Sequence, residues 1–133
     1  MDILRFPQGL VGFDELHRYA LEQWGGADSP FSLLRCVDDP QLAFVVVPPG
    51  LFFPDYEPEL DDETVAALEL ASSDEALLLV IVTVPDKAVD ATANLLGPIV
   101  VNTRSKVGMQ AVLAPERWPA RRRLVAETVS SAA

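Results

Sequence analysis

Cysteine and histidine are nearly missing from this chain: Cys36 and His17 each stand alone among 133 residues. One cysteine excludes an internal disulfide framework and any cysteine-rich zinc site. A single histidine beside it leaves too few ligands for most transition-metal sites. Long hydrophobic runs are also lacking. The longest, residues 76–84, is nine residues and contains Thr83, against the roughly twenty that a membrane helix needs. No basic stretch followed by an apolar one opens the sequence, so a secretory leader is not expected. The free cysteine and the missing leader together predict a cytoplasmic protein. No glycine pattern cradles phosphates, because Gly9 and Gly12 lack the strand–helix context such a loop needs. No cofactor is expected.

Basic residues are scarce except at one end. Residues 1–103 hold 18 acids and 4 bases, whereas residues 104–133 hold 2 acids and 6 bases, and the formal net charge is −10. An acidic body is a poor direct ligand for nucleic acid, where phosphate contacts supply most of the affinity. It suits a basic protein partner, whose approach it steers.

Half of the residues are hydrophobic, enough for one sizeable core and too few for two, so residues 1–126 are read as a single domain. The small polar residues 127–133 are read as a flexible tail. Eleven prolines fall between apolar runs rather than inside them, which predicts short strands with sharp corners. Strands are expected at residues 31–37, 42–47, 76–84, 99–102 and 109–113. The run 76–84 is too apolar for a half-exposed strand and is expected at the centre, covered on both faces. A turn at residues 105–108 joins the last two strands. Residues 13–24 fit either a helix, with Phe13, Leu16, Ala20 and Trp24 at helical spacing, or a turn followed by a strand over 18–23. The clearest helix covers residues 61–70. Asp61 is its N-cap, Asp62 and Glu63 lie in its first turn, and Leu60, Val65 and Leu68 face the core.

Asp55, Glu57, Glu59, Asp61, Asp62 and Glu63 place six carboxylates within nine residues. Paired carboxylates can perform acid–base chemistry or hold divalent cations, so a small enzyme or metal-binding protein using residues 55–63 is one reading. Pro54 and Pro58 stiffen the stretch, however. Extended alternation sends Asp55, Glu57 and Glu59 to one side and Tyr56 and Pro58 to the other. That geometry gives a ridge rather than a pocket and favours a protein-binding surface. At least one of Phe52 and Phe53 is expected to point away from the core, next to the acids, as an interaction anchor. The candidate partner-binding set is Phe53, Asp55, Tyr56, Glu57 and Glu59; catalytic, cofactor and metal sets are empty. Cys36, at the end of an apolar strand, is read as a buried thiol.

Residues 92–102, TANLLGPIVVN, resemble the T-A-N-L-x-A-P-I-V-x-N hallmark of the flagellar assembly factor FliW family. Further segments follow in the family's order: GLVGF at 9–13, SPF at 29–31, residues 43–48, FPDYE at 53–57 and GMQAVL at 108–113. Gly97 replaces a usual alanine and Trp118 stands near a usual tyrosine. The resemblance implies a mainly β, small barrel-like roll with one short α-helix and no enzymatic activity; a monomer is expected. It also implies a cytoplasmic protein that binds flagellin and, alternatively, the translational repressor CsrA, antagonising the repressor by direct contact. Thr92, Asn94 and Asn102 would then close corners between strands. Family members generally begin with a further strand or hairpin before the position of Ile3. Its absence predicts a first strand without a partner, and hence self-association or reduced stability.

Overall fold

The computed structural model describes residues 3–124; the expected tail at 127–133 lies outside them. The described residues hold nine strands: β1 (Ile3–Arg5), β2 (Arg18–Gln23), β3 (Ser32–Cys36), β4 (Ala43–Val47), β5 (Ala76–Thr83), β6 (Thr92–Ala93), β7 (Ile99–Asn102), β8 (Val107–Gln110) and β9 (Arg122–Arg123). One short α-helix, α1 (Asp62–Ala67), lies between β4 and β5.

Hydrogen bonding runs in the order β4-β3-β2-β1-β8-β7-β5, and β5 returns to β4, so seven strands close into a barrel. The mainly β, barrel-like fold with one short helix is therefore observed. All ring pairings are antiparallel except β1 with β8, where Arg5 lies opposite Val107. β6 and β9 extend the sheet from the far end of β5, through the pairs Val82–Ala93 and Ala93–Arg122.

β5 is the central strand. Its Ala76–Leu79 half pairs with β7 and its Val80–Val82 half with β4. Alternate side chains leave on opposite faces. Leu77, Leu79 and Ile81 join the cluster inside the barrel with Phe6, Tyr19, Leu34, Val46 and Ile99. Val80 and Val82 join an outer layer with Phe53, Tyr56, Leu95 and Trp118. Both faces are covered, as such an apolar run requires. The outer layer continues under α1, where Leu68 packs with Val100 and Ala111.

Two expectations are corrected, and one open choice is decided in favour of the turn and strand. The first strand does not lack partners: β1 pairs with β2 along its whole length and with β8 at Arg5. Residues 13–24 form turns and then β2, because turns at residues 6–17 hold Phe13 and Leu16 outside any helix. Gly9 is essential there. Its φ is +70°, and a Cβ would stand 2.4 Å from the Phe13 carbonyl oxygen. The last hairpin turns earlier than expected. Asn102 Oδ1 accepts the Arg104 and Ser105 N–H groups, and Lys106 takes a left-handed φ of 63°, so β8 begins at Val107.

α1 also stops short of residue 70. Asp61 Oδ1 accepts the Thr64 N–H at 2.8 Å, capping the helix as expected. Glu69 then adopts φ 52°. The Glu69 N–H returns to the Ala66 carbonyl and the Leu70 N–H to that of Val65. That pair of bonds is a Schellman ending, which normally favours glycine at the left-handed position.

Candidate functional site

Residues 53–59 cross the outside of the barrel between the β4 and α1 segments, with Phe53 and Tyr56, three residues apart across a turn, pointing inward. Phe53 is 2% exposed and Tyr56 7%, whereas Asp55, Glu57 and Glu59 are exposed. From Asp55 to Glu59 the alternation is as the sequence predicts and gives a ridge; the turn that returns the Tyr56 N–H to the Phe53 carbonyl takes Phe53 out of it. The exposed-anchor expectation is not met: Phe53 is buried and Phe52 is half-buried. The two aromatic members of the candidate set therefore hold the ridge from beneath. The Tyr56 hydroxyl donates to the Leu95 carbonyl at 2.7 Å, and its ring meets the Trp118 ring edge-on at 4.6 Å. Burial pushes its ionisation well above the usual phenol range.

The basic end of the chain folds back onto this ridge, which sequence reasoning missed. Arg122 of β9 donates to both Asp55 oxygens, at 3.1 and 3.4 Å, with its guanidinium 5.1 Å from the Phe53 ring centroid. That hydrogen-bonded pairing holds the Asp55 carboxyl below its ordinary value of 3.8. Arg117 lies 3.6 Å from Glu59 and stacks near Trp118 at 5.8 Å. Among the described residues Glu57 has no ion-pair partner. Six carboxylates over residues 55–63 thus face two guanidiniums, and the ridge keeps an acidic excess. The signal was visible as the opposite charge of the two segments, but the contact is about sixty residues long-range and leaves no local pattern.

The acids do not converge. They line a ridge and then the first turn of α1, and among the described residues no three His, Cys, Asp or Glu side chains gather where a metal ion could sit. Asp61 is engaged as a cap, which lowers its carboxyl below 3.8. No helix among the described residues is long and apolar enough to cross a membrane.

Asn94 and Asn102 close corners. Asn94 Oδ1 accepts the Leu96 and Gly97 N–H groups. Asn102, 1% exposed, donates to the Leu68 carbonyl at 2.8 Å and so ties β7 to the end of α1. Thr92 pairs in register with Arg123 and is half-buried.

Two concave surfaces flank residues 109–113. One, of about 460 Å3, runs between them and α1. The other, of about 300 Å3, lies at one end of the barrel and is lined by Leu10, Val11, Phe44, Ile81, Leu96 and Val112. Val11 and Val112 there are 64% and 70% exposed.

The family model described as FliW protein matches residues 1–124. A flagellar assembly factor FliW of Geobacillus kaustophilus is 41% identical over 129 residues, covering 97% of this chain and 88% of that protein. The one from Treponema denticola is 39% identical over 125 residues, covering 94% and 84%. A crystal structure of the flagellar assembly factor FliW superposes with a TM-score of 0.89 at 40% identity, covering 95% of this chain and 87% of that one. The chain belongs to the FliW family.

Proposed function

We propose that this FliW-family chain serves flagellar assembly in the cytoplasm as a binding protein, not an enzyme, which holds flagellin and alternately captures the repressor CsrA. The observation that carries the reading is the ridge Asp55, Glu57 and Glu59, exposed, stiffened by Pro54 and Pro58, and acidic even after Arg117 and Arg122 are counted. An RNA-binding repressor is basic. An acidic surface steers toward it and repels its RNA. Phe53 and Tyr56 contribute by holding the ridge in place rather than by touching the partner.

Flagellin would use a different surface. Its helical termini need an apolar groove, and the groove formed by Leu10, Val11, Phe44, Ile81, Leu96 and Val112 has that character. Family membership supports the assembly role, and separate acidic and apolar surfaces support two partners. Size-exclusion chromatography of the purified chain with CsrA, and with flagellin, tests the proposal. Co-elution with each partner is expected. Separate elution of the chain from both at micromolar concentration contradicts it.

A further inference from the structure

The barrel ring is closed, yet one length of strand edge stays open. β8 pairs with β7, and beyond it Ala111 N–H donates to the Pro98 carbonyl at 2.9 Å and Leu113 N–H to that of Leu96 at 2.8 Å. Alternate residues of an antiparallel ladder turn their N–H and C=O groups to opposite edges. Gln110 and Val112 therefore present theirs away from β7. On that side β1 reaches only Val107, and among the described residues the Val112 N–H meets no acceptor.

This edge forms one wall of the groove of about 460 Å3 whose other wall is α1. Leu60, Ala67, Met109 and Leu113 supply apolar surface along it. The charged groups lining it are Glu59, Asp61 and Glu63 against Arg117 alone. We propose that the groove docks a short extended segment of a basic partner, which adds to the Gln110–Val112 edge as a further strand. Main-chain hydrogen bonds to residues 110 and 112 provide affinity. Alternate side chains provide selectivity, apolar ones entering the groove and lysine or arginine lying over Glu59 and Glu63. A second copy of this chain, with its net charge of −10, would bring like charge to an acidic rim and is disfavoured. The site is independent of which protein the ridge at residues 55–59 attracts.

The test uses the full chain, labelled with nitrogen-15, and a nine-residue peptide alternating lysine and valine with blocked ends. Two further peptides carry backbone N-methyl groups, one on every valine and the other on every lysine. A strand bonded through one edge loses affinity at least tenfold when one of these sets is methylated and keeps it when the other is. The Gln110 and Val112 amide signals shift on titration, and the Val112 amide gains protection from exchange. Glu59→Lys with Glu63→Lys weakens binding of the unmethylated peptide. Equal affinity of all three peptides, or shifts confined to residues 55–57, overturns the proposal. So does a protected Val112 amide in a dimer formed without peptide. Val112→Pro removes the edge donor and is expected to abolish binding at unchanged thermal stability. If that variant does not fold, the methylated pair decides.

Discussion

Two tyrosines show how little a residue's type says without its partner. Tyr19 is fully buried inside the barrel, edge-on to Phe6 at 5.5 Å, and among the described residues its hydroxyl has no hydrogen-bond partner. Burial, with a smaller contribution from Cys36, pushes its ionisation up to about 12. An unpaired buried hydroxyl is a cost, so Tyr19→Phe should leave stability unchanged or raise it by up to about 1 kcal/mol. Tyr56→Phe should lower it by about 1 kcal/mol, because the Leu95 carbonyl loses its donor. Urea denaturation of both variants measures the contrast, and equal destabilisation would contradict it. Phe53→Ala should cost about 3–5 kcal/mol as a core truncation. Any loss of partner binding in that variant therefore reports on the fold beneath the ridge, not on a contact.

The exposed carboxyls give a pH dependence of defined sign. Asp38 bonded to Arg18, Asp55 bonded to Arg122, and Asp61 bonded to the Thr64 N–H all titrate below 3.8 in the folded chain. The unfolded chain takes up these protons at higher pH than the folded one. Their stabilisation is thus complete above about pH 5 and is lost as pH falls through 3.8 and below. The urea midpoint should fall on going from about pH 6 to about pH 3, and Asp61→Asn, which keeps a capping acceptor, should flatten part of that fall. A midpoint independent of pH would contradict the assignment.

At the scale of elements, the ends are decided by backbone conformations that composition does not advertise. Glu69 closes α1 in a left-handed conformation where glycine is favoured. Glu69→Gly should stabilise the chain by about 0.5–1 kcal/mol, the relief of strain being offset by added freedom in the unfolded state. Gly9→Ala should destabilise it by more than about 2 kcal/mol, since both its positive φ and the Phe13 carbonyl oppose a side chain. Thermal unfolding of the two variants tests both signs at once. Strands β4, β5 and β7 were legible because each is built on a continuous apolar run ended by proline, Asx or a loop, and β3 because Leu33, Leu34 and Cys36 lie between loop signals. The Asp61 cap was legible because capping is local. β1, β6 and β9 are two or three residues long, exist only through their partners, and carry no period of their own. The 13–24 ambiguity was real: its apolar spacing suits a helix, and only the turns upstream, pinned by Gly9, commit it to β2.

For the whole molecule, the charge division along the chain becomes a contact in space, as the basic end supplies Arg117 and Arg122 to the acidic ridge. The ridge and its direction are legible in the sequence. The neutralising partners are long-range and leave no local pattern, and Phe53 lies inward because the turn returning the Tyr56 N–H to its carbonyl breaks the alternation that would set it beside Asp55. The ridge's central claim is electrostatic steering of a basic repressor. Asp55 secures β9 through Arg122, so the variant that leaves the fold untouched reverses Glu57 and Glu59 alone. Exposed pairs such as Arg117–Glu59 contribute little to stability, whereas surface charge acts strongly on encounter rate. The decisive measurement is the association rate of Glu57→Lys/Glu59→Lys with CsrA across a salt series, compared with the unmodified chain. The account predicts association slowed by about tenfold or more at low salt, a flatter dependence on ionic strength, and unchanged thermal stability. An association rate and salt slope equal to those of the unmodified chain would contradict it.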